Sequence, residues 1–320
     1  MPILGLGRLP IPTAQIPVHP DQPVRLSSHF GVPLREDTVF TNRRGIEKRG
    51  IRKRAEHALD KLQEPLRKML EPDEAVLHIA RGQMMPSGVE RFFLGVHAYY
   101  LAPAMLVLTN HRLLHLFVTW DGMWKRGMRS ARWGDMEEAK AKGLLSARLH
   151  IKYRDGKKEI YWRIRSDEGK KIQLLLEVLL PTAAGETSPA LSMTSLCPDC
   201  RAALTPGVYE CPNCRLKFKD ERTALRRSLL IPGGGFFYTG HTLLGVAHCL
   251  VDLVLLFYLA LSGLVAVLGI VKPGPSPGGA PPNKFAAMVV VAFLIAVLAL
   301  HKWIMARISR NLIRYYIPAS

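Results

Sequence analysis

The sequence predicts a multidomain, membrane-attached protein. Its parts are a small antiparallel β-barrel closed by a C-terminal helix, a short zinc ribbon, and a two-helix transmembrane hairpin. Three observations predict it. Residues 75–165 hold short strand-like runs broken by turn residues, Cys197/Cys200 and Cys211/Cys214 form two Cys-x-x-Cys pairs, and two long uncharged runs lie after residue 250. The 320 residues suffice for two or three domains. Lys plus Arg is 44 and Asp plus Glu is 26, a formal charge of +18, yet 48% of residues are hydrophobic and the mean hydropathy is +0.07. Charge and grease therefore sit in different segments, which excludes one globular enzyme domain and a disordered basic chain. Five cysteines are too few for a secreted disulfide scaffold.

Residues 1–33 carry prolines at 2, 10, 12, 17, 20, 23 and 33 and read as an extended Pro-rich arm, with no signal-peptide pattern. Residues 34–74 read as a basic helical segment. Ile46, Ile51, Ala55, Leu59, Leu62, Leu66 and Met69 recur at mostly helical spacing over 42–70. Gly45 and Gly50 weaken its first turns, and Pro65 is expected to kink or restart it. Arg43, Arg44, Lys48, Arg49, Arg52, Lys53 and Arg54 face Glu47 alone. This cluster is a candidate surface for anionic lipid or nucleic acid, against the plain alternative of a solvated helix face. No aromatics interleave with it, which argues against stacking on single strands.

Residues 75–182 form the β domain. Ala75–Ala80, Met105–Thr109, Leu113–Trp120, Ser146–Tyr153 and Glu159–Ile164 read as strands, and Asp155-Gly156 as a two-residue hairpin turn. Asp167 is placed to cap a helix running to about Leu180, with Ile172, Leu175, Leu176 and Leu179 on one face. Glu71-Pro72-Asp73-Glu74 before the first strand, the string Val107-Leu108-Thr109-Asn110-His111-Arg112-Leu113-Leu114, and the hairpin followed by a helix resemble the bacterial pleckstrin-homology-like domains over about 110 residues. The resemblance implies a binding module rather than an enzyme. Some eukaryotic relatives hold phosphoinositides through basic residues of the first hairpin loop, where residues 82–91 here offer Arg91 alone.

A linker, 183–195, leads to the ribbon, 196–219. Cys197-Pro198-Asp199-Cys200 and Cys211-Pro212-Asn213-Cys214 can each turn two thiolates toward one metal, and together they complete a tetrahedral Cys₄ site for structural Zn²⁺. It looks like a short zinc ribbon; an iron site or a redox dithiol is the alternative. Four thiolates leave no open position for catalysis, and so short a segment needs the metal to fold. Cys249 lies outside the motif in apolar sequence.

Residues 220–320 form the membrane domain, with spans near 253–271 and 285–305 joined by a Pro/Gly-rich loop. Basic residues flank both outer ends, whereas the loop offers only Lys272 and Lys284. The positive-inside rule then puts both termini in the cytosol, which keeps the thiols reduced, and the resemblance implies a bacterial inner membrane. The string Leu230–Gly240 is similar to the glycine-aromatic opening of prokaryotic two-span membrane domains, and it is no phosphate loop because no Gly-Lys-Ser/Thr follows. Asp252 is the only acid after residue 228; it reads as a headgroup anchor or as an intramembrane pair with His248. Arg307, Arg310 and Arg314 on one face, with Trp303, Ile308, Leu312 and Tyr316 on the other, read as an interfacial helix.

No His-Glu-x-x-His, Walker loop or Gly-x-Ser-x-Gly motif is present, and no catalytic residues are assigned. The expected role is a non-enzymatic, membrane-anchored scaffold that binds a protein partner or a second copy of itself. A membrane-tethered nucleic-acid or ribosome binder and a subunit of an oligomeric channel or transporter are the alternatives.

Overall fold

A computed structural model describes residues 18, 22–95, 98, 101–183, 187–271, 284–313 and 316–319. The described residues divide into two compact units. One runs up to Arg91 and from Ala98 to Lys217; the other holds Phe218–Ala319 and the described part of Phe92–His97. Much of the expected arm, the inter-span loop with Lys272, and Arg314 lie outside the described residues.

The first unit is an antiparallel sheet domain. Its elements are β1 (Leu26–His29), β2 (Val32–Arg35), α1 (Glu36–Val39), α2 (Arg49–Met69), β3 (Val76–Met84), α3 (Gly88–Leu94), β4 (Pro103–Thr109), β5 (Arg112–Val118), β6 (Trp124–Arg132), β7 (Met136–Lys142), β8 (Ser146–Tyr153), β9 (Lys158–Arg165), α4 (Ser166–Thr182) and β10 (Thr194–Leu196). The strand order is β10-β6-β5-β4-β3-β9-β8-β7, with β2 joined to β3 in parallel through Leu34 and Val76. The sheet is thus open where a closed barrel is expected: β6 and β7 are consecutive in the chain, but a single 3₁₀ turn, Trp133–Asp135, sends them to different parts of the path.

The pleat sorts side chains into two cores. On β4, Leu106 and Leu108 join Trp133, Tyr161, Leu175 and Leu179 on the α4 side. Met105 and Val107 of the same strand join Leu34, Leu59, Leu62 and Leu66 on the α2 side. Ala55, Leu59, Leu62, Leu66 and Met69 of α2 are all buried, at the spacing of one helical stripe. Each fully buried leucine contributes about 1.5–3 kcal/mol. The helix starts only after Gly45, whose φ is +73°, but it runs through Pro65 as one element, because its last turns are held on the sheet by Leu66 and Met69.

Three local expectations are corrected. Residues 26–35 form the β1–β2 hairpin rather than an arm: Phe30 and Gly31 both take positive φ (53° and 71°), the backbone of a tight primed turn, and Val32 and Leu34 insert into the core. The β8–β9 turn is longer than two residues, since Tyr153 N–H donates to Lys157 O at 2.9 Å around Gly156 at φ +84°. Arg165, not Asp167, precedes the first turn of α4, and Asp167 lies inside that turn, where its charge suits the helix N-terminus.

The two strings that carry the pleckstrin-homology-like resemblance meet in one corner. Arg112 donates through Nε and Nη2 to the two oxygens of Glu74, at 2.9 and 2.7 Å, and through Nη2 to Met69 O at 2.8 Å. Thr109 Oγ1 donates to Glu74 Oε1 at 2.7 Å, and Ala75 N–H to Asn110 Oδ1 at 2.7 Å.

The second unit contains α5 (Glu221–Leu230), α6 (Gly234–Tyr238), α7 (Thr242–Val271) and α8 (Lys284–Ile313). Asp220 caps α5 by accepting from Thr223 N–H at 2.8 Å. Thr242–Val267 and Met288–Ile313, with mean hydropathies of 2.4 and 2.3, are long and apolar enough to cross a membrane. The first begins earlier than the expected 253–271, and the second ends later than the expected 285–305. Ile308, Leu312 and Tyr316 are buried inside this unit, so they do not line a membrane-facing surface as expected; only Trp303 of that set is exposed.

Candidate functional site

The Cys₄ cluster is built from two copies of one local turn. In the first, Cys197 N–H donates to Ala202 O and Arg201 N–H to Cys197 O, both at 2.9 Å. In the second, Cys211 N–H donates to Leu216 O at 2.9 Å and Arg215 N–H to Cys211 O at 3.0 Å. The residue after each second cysteine is left-handed, Arg201 at φ +63° and Arg215 at +60°. That conformation reverses the chain so that both thiols of a pair point the same way, and it costs a non-glycine residue roughly 1–2 kcal/mol.

All four Sγ atoms lie within 4.8 Å of one another, with Cys197–Cys214 at 3.5 Å and Cys200–Cys211 at 3.4 Å. A tetrahedron with metal–sulfur bonds of about 2.3 Å has edges of about 3.8 Å, so the donor set fits Zn²⁺. Burial pushes the Cys197 thiol up to about 12. At Cys200 burial opposes ionisation, but hydrogen bonds from Ala202 N–H and Asn213 outweigh it and draw the thiol down to about 6. Binding of a cation to a Cys₄ set is coupled to the loss of thiol protons. The centre is part of the sheet domain: β10 runs directly into Cys197, pairs antiparallel with β6 through Leu196 and Met128, and Arg126 reaches Asp199 at 2.7 Å.

In the second unit Asp252 is 2% exposed. It accepts from Gly233 N–H at 3.0 Å and Lys302 Nζ at 2.7 Å, and lies 3.0 Å from His301 Nδ1. His248 Nδ1 meets the other nitrogen, Nε2, of His301 at 3.3 Å, and its ring stacks on Phe236. Two of these partners come from α8, which brings an imidazole and an amine beside the α7 carboxyl group. The glycine run serves close approach. Gly233 has φ +64°, and a Cβ there would lie 2.1 Å from Gly245 O.

The basic segment does not present seven free charges. Arg52 pairs with Glu47 at 2.5 Å and lies 4.3 Å over the Phe40 ring; Arg54 pairs with Asp167 at 3.1 Å. Arg43, Arg44, Lys48, Arg49 and Lys53 remain exposed.

Two groupings escaped the sequence reading. Arg129 pairs with Glu159 at 2.5 Å, and Glu159 accepts from Tyr153 and Tyr161, whose hydroxyl also meets His115 Nδ1 at 3.0 Å. These residues come from β5, β6, β8 and β9, so no local motif could announce them. The second grouping is a cavity beside α2, lined by His78, Glu168 and Lys171. No family model, curated protein or solved structure matches this chain.

Proposed function

We propose that the protein is a non-enzymatic, membrane-anchored scaffold of the bacterial inner membrane, with a pleckstrin-homology-like module and a structural zinc ribbon in the cytosol. One observation carries this reading: the closed Cys₄ set at the edge of the sheet domain. Four thiolates saturate a tetrahedral ion, so its contribution is to fix β10 and the ribbon rather than to activate water. Four meandering strands, three more, and a C-terminal helix support the pleckstrin-homology-like assignment. The two apolar helices supply the anchor, and the basic residues outside the loop favour cytosolic termini.

The test isolates the full chain from detergent extracts after crosslinking in cells, beside Cys197→Ser/Cys214→Ser. A defined partner or a second copy, held by the native chain and lost from the variant, is the expected result. A native chain recovered alone would overturn the scaffold reading. For topology, a cysteine at Ser276 without Cys249 should react with an impermeant reagent on intact cells, and one at Ser188 should not. The hydrogen-bonded run His248–His301–Asp252 favours a second reading, a subunit of an ion path. Conductance in liposomes lost in Asp252→Asn would select it.

A further inference from the structure

We propose that the sheet domain binds a small amphiphilic anion, an acidic head group on a short apolar tail, in the cavity bounded by α2, β3 and the start of α4. The cavity measures about 250 Å³. Ile51, Ala55 and Ala58 of α2, with Ile79 of β3 and Met105 of β4, give it apolar walls. Arg54, His78, Arg165, Glu168 and Lys171 also line it and concentrate the polar groups. At about 30 Å³ per water-sized group, the space admits roughly eight such groups, head group and tail together.

His78 is the observation that calls for a ligand. It is 4% exposed, and neither imidazole nitrogen has a partner among the described residues. His78 and its neighbour Ile79 both line the cavity, just after a register shift between Val76 and His78. A buried donor and acceptor left unmade are costly, and a polar head group lodged here satisfies them. The charges that His78 feels are those of Lys171, Asp167 and Arg54, so it stands at the charged end.

That end favours an anion. The Lys171 amine is lowered to about 7 by burial and is fixed by Thr38 O, Thr41 O and Thr41 Oγ1, so the positive charge of that end rests on Arg54 and Arg165. Asp167 is already shared by Arg54 and Arg165, each at 3.1 Å. Burial raises Glu168 to about 7, so at neutral pH it can hold a proton and donate rather than repel; its Oε2 is buried without a partner. Beyond Arg54 and Arg165 the groove continues past Arg43, Lys48 and Lys170, which extends the positive field outward.

The experiment titrates the full chain in phosphatidylcholine nanodiscs with hexanoate, octanoate, decanoate, octyl phosphate and octanol, with empty discs subtracted. The acids should bind, gaining about fourfold per added methylene until about eight carbons and then levelling off. Octanol should bind at least tenfold more weakly than octanoate. Ala58→Phe, which fills the cavity, should abolish binding. Arg54→Gln/Arg165→Gln, at exposed positions, should weaken the acids at least tenfold without affecting octanol, with the melting temperature recorded for each variant. Octanoate displaced by phosphatidylglycerol in the disc would assign the site to a bilayer lipid, and no displacement to a free amphiphile; both support the proposal. Binding no greater than to empty discs, equal binding of octanol, or binding untouched by both variants would overturn it and leave a cavity holding water only. Because this readout is independent of partner capture, its failure would leave the scaffold reading standing.

Discussion

Arg112→Met tests the corner where the two recognisable strings meet. Glu74 has a fully buried side chain, and Arg112 is 12% exposed. The substitution deletes both charge-assisted bonds to Glu74, at 2.9 and 2.7 Å, and the donor to Met69 O. Only Thr109 Oγ1 and Glu71 N–H are left to solvate the carboxylate. Breaking a buried pair from one side costs about 3–5 kcal/mol. Because Arg112 retains some contact with water, the lower end applies, about 3 kcal/mol. At about 2–4 °C per kcal/mol for a domain of this size, the melting temperature should fall by roughly 6–12 °C. The built-in probe is Trp133, 1% exposed, whose Nε1 donates to Thr109 O at 3.0 Å in the same corner. Thermal unfolding of the full chain, followed by its fluorescence, reads the shift. Arg112→Met/Glu74→Leu removes both charges and should recover most of the loss. A single variant within 2 °C of the native chain, or a double variant no better than the single, would refute the reasoning.

The purified chain should hold one zinc, lost in Cys197→Ser or Cys214→Ser; less than about a fifth of an ion per chain, or an iron chromophore, would contradict the Cys₄ assignment. Burial holds His78 down at about 3 against an ordinary 6.5, so between those values the unfolded chain takes up a proton that the native one refuses. Stability should therefore drop as pH falls through that window, by about 1.4 kcal/mol per unit; buried His115 acts in the same direction, and Glu168, raised to about 7, opposes them between 4.5 and 7. His78→Leu should move the acid-unfolding midpoint to lower pH, and an unchanged midpoint would show that His78 is protonated in the native state. Gly233→Ala should prevent folding of the membrane unit, because its Cβ would lie 2.1 Å from Gly245 O. Gly240→Ala, also at positive φ but with nothing within 4 Å, should cost only about 1–2 kcal/mol, and equal yields of the two would argue against the close approach.

What was legible in the sequence was what repeats locally. Helical spacing announced α2, strict alternation announced β8 over its full length, and two Cys-x-x-Cys turns announced the four-cysteine cluster. β6 and β7 were silent for a physical reason. The inward positions of β7 after Met136 are Ala139 and Ala141, with charged residues between them, and β6 carries four basic residues around Met128 and Ala131. Small inward side chains bury too little apolar area to register as periodicity. The β1–β2 hairpin was hidden by Pro23 and Pro33 and by a turn that puts Phe30, not the usual Asn or Gly, at positive φ.

The sites show the same division between local and distant chemistry. His248 stands four residues before Asp252 on α7, so spacing alone offers that pair, whereas Lys302 and His301, which also reach the acid, lie about fifty residues away on α8. Spacing reports which groups share a helix face; it says nothing of a second helix that carries a stronger partner to the same place. The resemblance in the sheet domain has the converse origin. Glu74 and Arg112 stand far apart in sequence, yet they meet because the buried carboxylate needs the guanidinium that satisfies it. A pair with that task holds the fold together and is mute about ligand. His78 and Glu168, which line the cavity with buried polar atoms left without a partner, belong to neither string.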